Sequence, residues 1–139
     1  MVYVSETLAL EKRVSEELRK AILLSLAYQN ENYVKKAFDY AEVTTYSEVD
    51  GRLVPVKKAK ISKRNIKVDV SPKNLNIRVL VPRKLLRKIG KATYEAVMPV
   101  GAILYREGKE VLSISVPKPN IIVTKRAKFY IVFTVTVGF

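Results

Sequence analysis

Arginine is the side chain of this sequence best suited to binding chemistry, and two arginines occupy unusual positions. Arg64 stands at the start of a segment with strand-like alternation, and Arg78 lies inside the apolar segment 75–82. A guanidinium that points into a closed cavity can bind a carboxylate through two parallel hydrogen bonds. These arginines therefore indicate a carboxylate site if they face a cavity, and ordinary surface charge if they do not.

The chain contains no histidine and no cysteine. Thiol catalysis, disulfide bonds, zinc sites with nitrogen or sulfur ligands and a Ser-His-Asp triad are therefore excluded. Proton transfer would have to come from a carboxylate, a lysine or a tyrosine with a shifted pKa. The close acidic pairs Glu16/Glu17 and Glu107/Glu110 are typical of solvated surface rather than of a catalytic dyad.

Positive charge is concentrated in the middle of the chain. The 139 residues carry a formal net charge of +13, and residues 51–100 hold 14 basic and 2 acidic side chains. Such a basic centre predicts an anionic partner, which could be nucleic acid, a phosphate or a small polycarboxylate. The alternative is surface charge for solubility in a thermophile, whose proteins are often rich in lysine and glutamate.

The segment 83–97 is predicted to be helical and could recognise nucleic acid. Leu85, Leu86 and Ile89 form an apolar side, opposite a basic stripe. No helix-turn-helix, zinc finger or RNP-like motif accompanies it, which favours an amphipathic helix that covers a sheet. The residues of the basic stripe are Arg83, Lys84, Arg87, Lys88 and Lys91.

The apolar periodicity predicts an α+β fold in one domain over residues 1–139. Four-residue spacing predicts a helix over 6–27 with Ser5 as its N-cap, and further helices are expected over 33–41, 83–97 and 102–108. Alternation predicts strands over 42–49, 52–61, 65–70, 75–82, 110–117 and 120–139. Because these strands follow one another in hairpins, we expect a single antiparallel sheet with helices packed on one face or end.

Two features of the strand segments add detail. Asp50-Gly51 is a strong hairpin signal, and Pro55 argues that the next strand lies at an edge or bends. The uninterrupted apolar tail suggests a central strand. No apolar run is long enough to span a bilayer and the first residues lack a secretory signal, so we expect a cytoplasmic protein without membrane contact.

The stretch "MPVGAILY" places two backbone breakers, Pro99 and Gly101, inside the basic region. One interpretation is a linker between two helices. The other is a pocket-closing loop, in which Pro99 ends a helix and Gly101 lets the backbone approach a ligand. Val100 would then contact that ligand.

The order of these segments resembles the chorismate lyase fold, shared by bacterial chorismate pyruvate-lyases and their archaeal relatives. The resemblance runs through most of the chain, and its motifs are "ILLSLAYQNENYVKKAFDYAEVTTYSE", "KRNIKVDV", "NLNIRVLVP", "MPVGAILY" and the last strands. It implies an enclosed ligand cavity between the sheet and helical flaps. It also implies conversion of chorismate to 4-hydroxybenzoate and pyruvate without a metal or cofactor.

The resemblance assigns roles to particular residues. It implies that Arg64 holds a carboxylate, that Val100 and Tyr33 line the pocket, and that Arg126 belongs to a pair of basic residues near the last strand. The family also uses a glutamate in that strand, where Val135 stands here. The catalytic residue therefore stays unassigned, and the alternatives elsewhere are Glu42, Glu95 and Glu110. The expected substrate-binding residues are Arg64, Val100, Tyr33, Gly101, Arg78 and Arg126.

Three functions remain open at this point. The first is a chorismate pyruvate-lyase-like protein that binds a small anionic aromatic or cyclohexadiene carboxylate. The second is a non-catalytic sensor of the same fold. The third is a nucleic-acid-binding protein that uses the basic segment, for which steep salt dependence is the expected signature.

Overall fold

The computed structural model describes residues 2–5, 14–96, 99–116, 121–124 and 127–136. These residues form an α+β structure that is mostly antiparallel sheet, with two short helices, α1 (Glu16–Tyr28) and α2 (Asn32–Lys35). The strands are β1 (Val2–Ser5), β2 (Tyr40–Val49), β3 (Arg52–Ser62), β4 (Ile66–Val70), β5 (Asn74–Val81), β6 (Arg87–Gly90), β7 (Thr93–Ala96), β8 (Val100–Arg106), β9 (Lys109–Val116), β10 (Ile121–Thr124) and β11 (Phe129–Thr136).

The described strands divide into three sheets rather than the single antiparallel sheet that we expected. The first sheet has the order β1-β11-β5-β4, the second β3-β2-β8-β9, and a small third sheet β10-β7-β6. All pairs are antiparallel except β1 with β11. The physical reason for more than one sheet is that each large sheet has one apolar face, and such a face is buried by packing against another layer.

Helix α1 begins later than the sequence predicted. Ser5 lies in β1, and Ser15 is the N-cap, whose hydroxyl accepts a hydrogen bond from the Leu18 N–H at 3.2 Å. Just before it, Val14 forms an isolated bridge with Leu112 of β9. The predicted helical residues 6–13 lie outside the described residues.

The predicted hairpins are confirmed. Asp50 and Gly51 both have positive φ, +50° and +76°, which suits a two-residue turn between β2 and β3. Pro55 lies on β3 at the edge of the second sheet, where its missing N–H costs no ladder bond. The apolar strand β11 is central, between β1 and β5.

Two predicted helices are wrong, and a third is shorter than predicted. Within the predicted helix 83–97, residues 83–96 form a 3-10 turn (Arg83–Leu85) followed by the β6–β7 hairpin, and residue 97 lies outside the described residues. Residues 102–108 lie in β8 and its turn to β9. In β8 the inward residues Val100, Ala102 and Leu104 recur every two positions, which is the strand period. The predicted helix over 33–41 is reduced to α2, because β2 already begins at Tyr40.

The two large sheets and the helices share one hydrophobic core. Helix α1 contributes Leu18 and Ile22, and the segment after it contributes Val34 and Phe38. None of the described helices has the length and apolar character that a bilayer span requires. The sheets contribute the buried residues Ala41, Val43, Ala59, Ile61, Ile66, Val68, Leu75, Ile77, Val79, Ala102, Leu104, Leu112, Ile114, Phe129, Ile131 and Phe133.

Candidate functional site

A row of neighbouring side chains crosses the second sheet where its apolar face ends. Thr45 of β2 is in register with Lys57 of β3 on one side and with Val100 of β8 on the other. Side chains alternate along a strand, so this row shares its face with the buried Val43 and Ala102 two positions inward. The row therefore continues the core-facing surface and brings a hydroxyl and an ammonium to its edge.

A β-bulge shapes this edge. The pairing of β2 with β3 shifts between Thr45 and Tyr46, which leaves Val56 without a paired residue. Bulges bend a strand and re-aim side chains, often beside functional sites. Here Val56 lines the same hollow as Thr45 and Lys57.

The opposite wall comes from the chain after β5. The 3-10 turn is closed by hydrogen bonds from the Leu85 N–H to the Pro82 carbonyl and from the Leu86 N–H to the Arg83 carbonyl. This turn buries Leu85 and Leu86, and the β6–β7 hairpin follows it. Between the walls lies an open cleft of about 540 Å³, lined by Thr45, Val56, Lys57, Leu85, Leu86, Arg87, Lys88, Glu95, Val100 and Phe129.

Thr45 is the exceptional residue of the cleft. Its side chain is 3% exposed, and within the described residues its Oγ1 makes no hydrogen bond to protein. Leaving a buried hydroxyl without a partner costs roughly 1–3 kcal/mol. A polar group that enters the cleft could remove that cost by bonding to the hydroxyl.

The charges of the cleft favour an anion. Lys57, Arg87 and Lys88 are three cationic lining residues, against one carboxylate, Glu95. The Arg87 Nη1 atom lies 3.4 Å from the Glu95 Oε1 atom. Because Lys57 comes from the second sheet and the other two from the small sheet, the cations stand on two different walls.

Of the three glutamates that the sequence offers as acid–base candidates, one lines the cleft and two do not. Glu95 lines the cleft. Glu42 instead pairs with Lys58, at 3.2 Å, on the face of the second sheet turned away from the core. Glu110 is exposed on β9, in register with Tyr105.

The stretch "MPVGAILY" does not form a pocket-closing loop or a helix–helix linker. Pro99 is followed directly by β8, and its carbonyl accepts a hydrogen bond from the Tyr46 N–H at 2.8 Å. Val100 lines the cleft, whereas Gly101 faces the other side of the sheet. A Cβ at Gly101 would lie 3.4 Å from a ring carbon of Tyr46, which is close to ordinary contact. Met98 lies outside the described residues.

Arg64, Tyr33 and Arg78, three other expected binding residues, do not line this cleft. Arg64 is exposed in a 3-10 turn (Lys63–Asn65), and Tyr33 is exposed on α2 with its ring centroid 5.8 Å from that of Tyr28. Arg78 lies on the outer face of β5, where its Nη2 atom is 2.7 Å from the Asp69 Oδ2 atom. Arg126 lies outside the described residues.

The basic segment is exposed, although it is not a helix. Its side chains surround the 3-10 turn and β6, and two of them, Arg87 and Lys88, line the cleft. Lys57 reaches the same region, with its Nζ atom 3.4 Å from the Lys84 carbonyl. The exposed basic residues are Arg83, Lys84, Arg87, Lys88 and Lys91.

Sequence reasoning missed Thr45 and Lys57, although a signal was present. The core-facing positions of β2 run Ala41, Val43, Thr45, so the third breaks an apolar alternation. On β3 the corresponding positions are Ile61, Ala59 and Lys57. Polar residues at core-facing positions of two paired strands indicate a site, because burial without a partner is unfavourable.

Comparison of this chain with protein-family models, curated proteins and solved structures gives no match. No relative therefore indicates which side chains of the cleft carry the function. The candidate site rests on geometry alone: a buried hydroxyl, an apolar floor and cations on two walls.

Proposed function

We propose that this protein binds a small carboxylate with an aromatic or cyclohexadiene ring in the cleft. The observation that carries the proposal is the buried Thr45 hydroxyl, which has no hydrogen-bond partner among the described residues and stands beside Lys57. A carboxylate accepts hydrogen bonds from both a hydroxyl and an ammonium, and bonds to charged groups are the stronger kind. A single carboxylate could therefore bond to both the Thr45 hydroxyl and the Lys57 ammonium.

The floor of the cleft suits a ring. Leu85, Leu86, Val100 and Phe129 are all buried apolar residues that line the cleft. Ligand sites typically combine such an apolar lining with a few polar groups that fix orientation. The carboxylate would be held at the Thr45–Lys57 edge while the ring packs on the leucines and the phenylalanine.

Cations on two walls suit a ligand with two carboxylates. Chorismate is a cyclohexadiene dicarboxylate, and the resemblance of the sequence motifs to chorismate lyases names it as the first compound to test. In this proposal Lys57 holds one carboxylate and Arg87 with Lys88 the other. The chorismate lyase-like fold is part of the same proposal, with an open cleft in place of the expected enclosed cavity.

Conversion of chorismate to 4-hydroxybenzoate and pyruvate is a separate hypothesis. In this reaction the ether bond to the enolpyruvyl group breaks, the ring loses one proton and becomes aromatic, and the enolpyruvate that leaves takes up a proton at its methylene carbon to become pyruvate. A proton acceptor near the ring would assist this transfer. Glu95 is the carboxylate that lines the cleft within the described residues, and we assign this role to it. A protein that binds the ring acid without turnover would instead be a sensor.

The test of binding is calorimetric titration with chorismate and 4-hydroxybenzoate. We expect saturable binding, and a loss of affinity of roughly tenfold in Thr45→Val and in Lys57→Gln, since each variant removes one hydrogen bond to the carboxylate. Arg64→Gln is the matched control, because it removes an exposed cation outside the cleft. No binding at millimolar ligand, or equal losses in the control, would refute the proposal.

The test of turnover is release of pyruvate from chorismate above the spontaneous rate. We expect Glu95→Gln to abolish this release while 4-hydroxybenzoate still binds. Binding of chorismate without any pyruvate release by the wild-type protein would leave the sensor function and exclude the lyase.

Nucleic acid is the second candidate, favoured by one observation. All five residues of the basic segment are exposed, and two of them, Arg87 and Lys88, line the cleft. Binding through them should weaken steeply as salt rises, because counterions are released from the phosphates. Absence of a gel shift with duplex and single-stranded probes at low salt would exclude this function.

A further inference from the structure

The apolar lining of the cleft continues outward along the β2–β3 hairpin. Beyond the bulge, Ser47 is in register with Val54 and Val49 with Arg52. Residues two apart share a face of a strand, so Val49 and Val54 lie on the same face as Thr45. Together with Val56, which already lines the cleft, they form what we call the valine strip (Val49, Val54 and Val56).

The valine strip is unusually open for branched apolar side chains. Val49, Val54 and Val56 are 50%, 43% and 49% exposed, whereas Val43 farther along the same face is fully buried. From Thr45 to Val49 a strand advances about 13 Å. The strip is therefore long enough for an extended chain of several methylene groups, and it starts inside the cleft.

The size of the cleft also points to a ligand larger than one ring. A volume of about 540 Å³ lies among those of sites that take drug-sized ligands. A single-ring acid placed at the Thr45–Lys57 edge leaves part of this space unfilled. Val56, which belongs to the strip, lines this same space.

The charges beside the strip argue against a second copy of this chain as its occupant. Arg52 is in register with Val49, and Lys57 follows Val56. Two copies that met through their strips would bring these cations together, which is unfavourable for like charges. A ligand with an anionic head at the Thr45 end and an apolar chain along the strip places its negative charge beside Lys57 instead.

We propose that the natural ligand of the cleft is an amphipathic carboxylate, with its acid group at Thr45 and Lys57 and an apolar chain along the valine strip. This inference rests on the proposed binding of a ring carboxylate and adds the chain to it. The chain exits at Val56, passes Val54 and ends near Val49.

The experiment measures dissociation constants for 4-hydroxybenzoate, 4-butylbenzoate and 4-octylbenzoate below their micelle-forming concentrations. Full burial of a methylene is worth roughly a fourfold gain in affinity, so contact on an open strip should give about twofold per methylene. Val54→Ser should remove most of this gain without changing the dissociation constant of 4-hydroxybenzoate. Leu53→Ser is the matched control, because Leu53 is also an exposed apolar residue but lies on the opposite face of the hairpin.

The outcomes separate the two proposals. If 4-hydroxybenzoate binds and chain length changes nothing, the inference is overturned and ring-carboxylate binding stands. If none of the three acids binds, the proposed function itself fails. If Val54→Ser and Leu53→Ser lose the chain-length gain in affinity equally, the alkyl chains adsorb non-specifically and the inference is overturned. The inference is also overturned if the wild-type protein forms a dimer that Val54→Ser dissociates, because the strip would then serve self-association.

Discussion

Thr45 and Lys57 lie directly opposite each other on β2 and β3, at the place where the apolar face of the second sheet gives way to the cleft. Inward from this pair, Val43 and Ala59 are buried in the core. Outward, the hairpin is open to solvent. At this position the Thr45 hydroxyl is shielded from water but has no hydrogen-bond partner among the described residues. The proposed site is based on this observation.

Replacing Thr45 by valine should stabilise the free protein while weakening ligand binding. Valine has nearly the same shape but no hydroxyl, so the penalty for an unpartnered buried polar atom disappears. We expect the free energy of unfolding to rise by about 1 kcal/mol. Chemical denaturation of the ligand-free protein measures this change.

The control for that substitution is Thr44→Val on the neighbouring position. Thr44 is also buried, but its side chain faces the other side of the sheet, and it does not line the cleft. Ligand affinity should be unchanged in this variant. A Thr45→Val protein that is less stable than wild type would show that the hydroxyl is already satisfied.

Gly101→Ala should have little effect on either stability or binding. A Cβ at this position meets the Tyr46 ring and the Ile114 carbonyl at 3.4 Å, which is close to ordinary contact. Alanine also suits a strand better than glycine, so the free energy of unfolding should change by less than about 1 kcal/mol. Denaturation and ligand titration of the variant check this expectation, and a large loss of ligand affinity would return Gly101 to the binding site.

Ser25→Ala should destabilise the helical layer. The Ser25 hydroxyl is fully buried and accepts a hydrogen bond from the Val34 N–H at 3.1 Å, which ties α1 to α2. Its removal leaves a buried N–H without a partner, at a cost of about 1–3 kcal/mol. Asn30→Ala is the control, because it removes an exposed bond to the Asn32 N–H and should cost less. The measurement is urea denaturation of both variants. An equal decrease in the free energy of unfolding would contradict the claim that burial makes the Ser25 bond the more important one.

The phenol of Tyr105 should titrate above its ordinary range. Burial raises the pKa of Tyr105 from 10.0, and the negative charge of Glu42 raises it further. Because the folded state holds this proton more tightly than the unfolded state, stability should fall as pH rises above about 10 and be unaffected by this group below that pH. Absorbance titration of tyrosinate checks the shift. Glu42→Gln should lower the pKa of Tyr105, and an unchanged value would contradict the electrostatic cause.

Local signals in the sequence predicted the parts of the fold that depend on them. The turn Asp50-Gly51 fixed one hairpin, because few residue pairs accept two consecutive positive φ values. The uninterrupted apolar run of β11 indicated a central strand, and β11 lies between β1 and β5.

The segment after β5 could not be assigned from its sequence. Leu85, Leu86 and Ile89 fit the spacing of an amphipathic helix, but the structure buries the two leucines in a 3-10 turn and leaves Ile89 exposed on β6. Short apolar patterns do not distinguish a helix from a turn followed by a strand. Pairing of β7 with β10, which is distant in the sequence, favours the hairpin over a helix.

The candidate site was only partly accessible to prediction. Val100 was expected to contact a ligand, and it lines the cleft. Arg64 was expected to hold the carboxylate, but it lies in an exposed turn, while Thr45 and Lys57 were not considered. An arginine beside a predicted strand is easily noticed in a sequence. Whether a threonine is buried depends on which layer covers its strand, and the sequence does not show that directly.

The most direct test of the proposed site is a nuclear magnetic resonance titration of the ¹⁵N-labelled protein with 4-hydroxybenzoate. We predict saturable changes in the amide signals of Thr45, Lys57 and Leu86, with the signals near Arg64 unchanged. The same titration of Thr45→Val should show weaker saturation at the same positions. Unchanged signals around the cleft at saturating ligand, or changes centred on the turn that contains Arg64, would contradict the assignment of the cleft as the carboxylate site.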